Sequence, residues 1–143
     1  MQRKASARWQ GSTQEGKGTL SVQSGTLKDT PYSFKARFAD GRGTNPEELI
    51  AAAHAGCFTM ALSFTLNNAG FTADAIDTEV QLTMDPVDGK PTITSVHLTT
   101  RAQVPKIAAA KFAEIASSAK VNCVVSRALS PSITVTLDAA LAS

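Results

Sequence analysis

The sequence predicts an α+β domain, mainly antiparallel strands around one long buried central helix, in the order roughly βββ-α-ββ-α-β. Three observations lead there. Asn45–Gly70 is an apolar run with start and stop signals of a helix at its ends. Short segments on either side of it alternate apolar and polar residues, as half-buried strands do. Pro86–Pro91, with Asp88-Gly89 at its tip, separates two such segments as a hairpin turn.

Ala5–Gln10 reads as a strand ending at Gly11, and Gly18–Gln23 as a second, with Leu20 and Val22 facing away from Thr19, Ser21 and Gln23. Gly25 and Lys28-Asp29-Thr30-Pro31 mark a turn. Tyr32–Phe38 alternates again, with Phe34, Ala36 and Phe38 opposite Ser33, Lys35 and Arg37, which predicts a third strand. Asp40–Gly43 is a loop into the central helix. There Asn45 is suited to cap free N–H groups, Pro46 fits the first helical position, and Glu48 completes a capping box. Asn67, Asn68 and Gly70 supply the stop. Ile76–Met84 and Thr92–Val104 predict the hairpin strands, Ile107–Lys120 an amphipathic helix, Val124–Leu129 a short helix, and Ser132–Leu137 a last strand.

In the central helix Leu49, Ile50, Phe58, Met60, Leu62, Phe64 and Leu66 do not fall on one stripe. A helix apolar all round is buried in protein or lipid. His54 and the Ala- and Thr-rich composition disfavour lipid. The expected cover is a second copy of the chain.

The chain of 143 residues suits one domain spanning 1–143 with a core that needs no disulfide staples. A net charge of +2 with interspersed acids and bases predicts neither a nucleic-acid surface nor an acidic tail. Met1–Gln10 lacks the apolar segment of a secretory signal, which points to the cytoplasm, where thiols stay reduced.

Two cysteines are the candidates for chemistry. Cys57, in the middle of the helix, is either an inert packed residue or a nucleophile; burial raises a thiol pKa, and a mid-helix position denies it a helix N-terminus. Reactivity would need a cation. At ~4 Å and an effective dielectric of ~20 one is worth about 4 kcal/mol, up to ~3 pH units before desolvation. Lys35, Arg37, Arg42 and His54 are candidates, and arginine is best suited because it stays charged and donates several hydrogen bonds. Glu47 is free to hold such an arginine, whereas Glu48 is occupied as a cap. Ten residues of helix separate Glu47 from Cys57, about 15 Å along the axis. Either an arginine spans part of that gap, the helix breaks near Ala51–Gly56, or Glu47 comes from a partner subunit. Cys123 precedes the short helix, where exposed N–H groups would favour its thiolate. His54 and Cys57 share a face, but no C-x-x-C or H-x-x-x-H spacing supports a metal site, and none is expected.

The run G-T-N-P-E-E-L-I-A-A-A-H-A-G-C-F (Gly43–Phe58), with A-R-W near the start, G-K-G-T-L-S-V-Q-S-G, P-Y-S-F-K-A-R-F and a late Cys followed by V-S, resembles the osmotically inducible protein C (OsmC) family, related to the organic hydroperoxide resistance (Ohr) proteins. The A-A-H and R-F forms are more similar to OsmC than to Ohr. The resemblance covers nearly the whole chain. It implies an intertwined homodimer with interfacial active sites, and a peroxiredoxin-like thiol peroxidase that reduces organic hydroperoxides to alcohols. It implies Cys57 as the peroxidatic and Cys123 as the resolving cysteine, joined as a disulfide in turnover, with Arg37 activating the thiolate and Glu47 holding Arg37. The expected pocket walls are Phe38, Phe58 and Met60. No bound cofactor is expected, only an external dithiol reductant such as a lipoylated protein; nucleic acid and membrane are not expected partners. The sequence departs from the family at Val124, where C-P-V-S is usual and proline would fix the backbone. The competing reading is a non-catalytic dimer that binds a hydrophobic ligand and carries structural cysteines.

Overall fold

The computed structural model describes residues 1–142. The chain divides into two compact units, Met1–Leu49 and Ile50–Ser143.

The first unit is built on an antiparallel sheet in the order β1-β2-β3, formed by β1 (Ala5–Gln10), β2 (Lys17–Val22) and β3 (Thr30–Tyr32). Trp9 and Tyr32 pack over Gly18 with ring centroids 5.5 Å apart, and a β-carbon on Gly18 would run into both rings. The expected strand over Tyr32–Phe38 stops at Tyr32; Phe34–Phe38 is instead a one-turn helix, α1. Its cause is local. Ser33 is an N-cap whose Oγ accepts from the Ala36 N–H at 3.0 Å, and Phe34 and Phe38, one turn apart, bring their rings to 4.8 Å.

Helix α2 (Pro46–Asn68) starts and stops as expected. Asn45 Oδ1 accepts from the Glu48 N–H at 2.8 Å. Only half of the capping box forms, because the Glu48 carboxylate accepts from Thr44 Oγ1 at 3.3 Å. At the other end Gly70 takes φ +87° and the Phe71 N–H returns to Leu66 O, the geometry of a Schellman stop.

The second unit carries β4 (Ala75–Val87), β5 (Lys90–Gln103) and β6 (Thr134–Leu141) in the order β4-β5-β6. Asp88 and Gly89, both at positive φ, make the tight turn of the β4–β5 hairpin. β6 pairs with β5 in parallel, through a crossover made of α3 (Ala109–Asn122) and α4 (Val124–Leu129). β6 is longer than expected because its ladder continues to Leu141 opposite Ala102.

The core of this unit joins Phe58, Leu62 and Leu66 of α2 to Leu98 and Ala102 of β5 and to Phe112, Ile115, Ala116 and Ala119 of α3. Each fully buried Phe or Leu contributes about 1.5–3 kcal/mol. A hydroxyl chain, Thr59 to Thr78 at 2.8 Å and Thr78 to Thr100 at 3.0 Å, ties α2 to the sheet. The burial of α2 follows a single stripe, His54, Phe58, Leu62 and Leu66. Met60 is 74% and Phe64 66% exposed, so a helix covered on every side is not realised within one chain.

Candidate active site

In the first unit, α1 presents Arg37 and the first turn of α2 presents Glu47. Arg37 Nε donates to Glu47 Oε1 at 2.8 Å, and Nη2 lies 2.6 Å from the same oxygen as an ion pair. The guanidinium is thereby fixed in orientation while 41% of the side chain stays accessible, and the carboxylate is 13% exposed. Glu47 Oε2 is buried and has no donor among the described residues. Phe38 lies under the guanidinium, 5.1 Å from it to the ring centroid. Of the other candidate cations, Lys35 pairs with Glu15 across 3.5 Å on the surface.

A groove of about 190 Å³ opens beside Arg37, lined mainly by Trp9, Tyr32, Phe34 and Pro46. None of these four residues is among the expected walls. Of the three that were, Phe38 is half-exposed next to Arg37, Phe58 is wholly buried in the core and Met60 points outward. Phe58 belongs to the buried stripe of α2 and so has no face left for a ligand. The signal for the groove was the small residue at Gly18, which lets Trp9 and Tyr32 meet.

In the second unit the two cysteines meet. Both are free, and the Cys123 thiol donates to Cys57 Sγ across 3.2 Å. A disulfide is ~2.05 Å long, so bonding needs closure of only about 1.2 Å. Cys57 is partly accessible on α2, whereas Cys123 is 1% exposed at the junction where α3 ends and α4 begins.

Burial pushes the Cys57 thiol above its ordinary value. The backbone N–H groups of Val125 and Val124 face its sulfur and pull the other way, while the neighbouring Cys123 adds to the upward push. The N–H groups at the start of α4 therefore act on Cys57, which is not cut off from a helix N-terminus. Sequence reasoning missed this because it considered each cysteine only within its own helix. Together these influences leave Cys57 a thiol more than a thiolate, and a cation is what would tip the balance.

His54, one turn before Cys57, is fully buried with Nε2 2.7 Å from Ser126 Oγ. Burial lowers its pKa, keeping the ring neutral. Among the described residues no three His, Cys, Asp or Glu side chains cluster as a metal-ligand set. The helix does not break near Ala51–Gly56, which removes one of the three ways of relating Glu47 to Cys57.

Comparison with known proteins places this arrangement. Residues 39–138 match the family described as OsmC-like protein. The chain is 48% identical over 132 residues to the peroxiredoxin OsmC of Escherichia coli (strain K12), covering 92% of each. Its fold superposes on the crystal structure of the organic hydroperoxide resistance protein OhrB of Bacillus subtilis with a TM-score of 0.70 and 28% identity, over 97% of this chain and 98% of that one. An OsmC-like protein of unknown function from Vibrio cholerae shares the fold at a TM-score of 0.78 and 13% identity, over 97% and 99% of the two chains. With a matching profile over most of its length and a relative of this identity, the chain belongs to the OsmC-like protein family.

Proposed function

We propose that this chain is a thiol-dependent peroxidase that reduces organic hydroperoxides to alcohols. The observation that carries the reading is the pair of free thiols at 3.2 Å, one accessible and one buried. A packing role for cysteine does not require two sulfurs in contact on different elements. The peroxiredoxin name of the 48% identical relative and the hydroperoxide resistance name of the Bacillus protein agree with it.

In the proposed cycle the Cys57 thiolate attacks the outer peroxide oxygen. The S–O bond forms as the O–O bond breaks, the alkoxide takes a proton, and an alcohol leaves. Cys57 is then a sulfenic acid. The Cys123 sulfur displaces its hydroxyl, giving the Cys57–Cys123 disulfide and water. An external dithiol, of which a lipoylated protein is one source, reduces the disulfide by exchange and is itself oxidised. No resident cofactor enters. Arg37 lowers the Cys57 pKa and Glu47 orients Arg37.

The working form in this reading is a homodimer in the cytoplasm. α2 has the length and apolar composition of a membrane span, yet it carries Glu47, Glu48 and a buried His54. A second copy, rather than lipid, covers Met60 and Phe64, each worth about 1.5–3 kcal/mol on burial. The Arg37–Glu47 pair of one chain faces the thiols of the other. The buried, donor-free Glu47 Oε2 is consistent with a further donor arriving in the assembly. The groove beside Arg37 receives the alkyl or aryl part of the substrate.

The test is steady-state turnover of cumene hydroperoxide with dihydrolipoamide as reductant. The native chain should turn over, and Cys57→Ser should be inactive. Activity retained in Cys57→Ser would overturn the assignment.

A further inference from the structure

We propose that His54 and Ser126 are a positioning pair for the resolving step, a second rung that holds Cys123 against Cys57. The inference rests on the peroxidase reading and assigns these two residues a part in it.

The placement is periodic. His54 stands one helical turn before Cys57 on α2, and Ser126 one turn after Cys123 in α4. Residues three apart lie on one face of a helix. The two helices are therefore joined by two side-by-side contacts, sulfur to sulfur at 3.2 Å and imidazole to hydroxyl at 2.7 Å.

Apart from these contacts α4 is held by packing alone, with Val125 partly buried against the core and Leu129 half-buried. It has six residues, too few to be stable by its own backbone bonds. Ser126 is its one buried side chain among the described residues, while Val124 is 71% exposed. An apolar side chain at Ser126 would still pack, but packing is non-directional and tolerates rotation. A hydrogen bond between buried groups is directional and is not exchanged for water when it breaks. Turning α4 away from α2 would strand two buried polar groups, and the same rotation would carry the N–H groups of Val124 and Val125 and the Cys123 sulfur away from Cys57. The imidazole is kept neutral by burial, so the rung does not place an uncompensated charge in the core.

The test uses an isosteric pair of variants, Ser126→Thr and Ser126→Val, which differ in a hydroxyl against a methyl and not in size. Two quantities are read. One is the equilibrium of the Cys57–Cys123 disulfide against reduced and oxidised dithiothreitol, which needs no peroxide. The other is the lifetime of the Cys57 sulfenic acid after one equivalent of cumene hydroperoxide, followed by dimedone trapping and mass. Ser126→Val should lower the equilibrium constant for the bridge and lengthen the sulfenic acid lifetime at least tenfold, with Ser126→Thr within threefold of native. Circular dichroism establishes that both variants are folded, and His54→Gln, which retains an N–H donor, should fall between them. Equal behaviour of the Thr and Val variants in both readouts would overturn the pairing role. A native chain that forms the bridge in the redox buffer with the expected Thr/Val difference, yet never reacts with hydroperoxide, would overturn the peroxidase reading and uphold the pairing geometry.

Discussion

Replacing Val124 with proline isolates one backbone N–H. Val124 is the first residue of α4, a position where helices accept proline. The preceding Cys123 has φ −58° and ψ 127°, already in the region that a following proline demands. The side chain is 71% exposed, so little packing is lost. The substitution therefore preserves the turn and removes a donor that faces the Cys57 sulfur. A hydrogen bond to a charged group contributes about 1.5–3 kcal/mol. The Val124 N–H is the smallest of the influences on Cys57 and sulfur is a diffuse acceptor, so its loss falls below that range. Iodoacetamide alkylation against pH, in a Cys123→Ser background where only Cys57 reacts, should show a higher midpoint in Val124→Pro. Thermal stability should stay the same or rise by about 0.4–1 kcal/mol, since proline restricts the unfolded chain. A midpoint that is unchanged or lower in a folded variant would refute the view that this N–H stabilises the thiolate.

Arg37→Ala should raise the same midpoint in the assembled protein and slow turnover, with Glu47→Gln showing a smaller effect of the same sign; identical pH profiles would remove the pair from the site. Met60→Asp on the open face of α2 should halve the mass seen by sedimentation at micromolar concentration, and a native chain that is already monomeric would contradict the dimer. Folding favours neutral His54, whose pKa lies below its ordinary 6.5. The unfolded chain therefore binds the proton first, and stability that is complete above pH 6.5 is lost as the pH falls toward the folded-state value, at up to about 1.4 kcal/mol per unit. Urea midpoints at pH 5 and pH 7.5 should differ less in His54→Gln than in the native chain.

What the sequence reveals and what it hides follow from the range of the interactions involved. β1 and α4 fall where periodicity and turn residues put them, and the α2 start and stop are local capping events. The error at Phe34–Phe38 is one of period. F-K-A-R-F places its phenylalanines at both the alternate positions of a strand and the fourth-residue spacing of a helix, and the Ser33 cap decides for the helix. The parallel β5–β6 ladder lay beyond reach because a crossover connection carries no short-range signal of strand direction. The candidate site divides in the same way. Arg37 and Glu47 were identifiable as charge types in need of each other, and their bond joins them as that need requires. Ser126 and the N–H groups of Val124 and Val125 act across elements far apart in the chain, and nothing in their own residue types announces it. Phe58, expected as a pocket wall, directly follows Cys57. On a helix the next residue points about 100° away, and here that direction is the core.

The central claim is that two sulfurs, one open to substrate and one buried behind it, complete a single oxidation between them. Non-reducing mass spectrometry after one equivalent of cumene hydroperoxide tests it directly. The account predicts an intramolecular Cys57–Cys123 bridge, two mass units lighter than the reduced chain, in nearly every molecule. A chain that remains fully reduced, or that accumulates oxygen on Cys57 with Cys123 untouched, would contradict it.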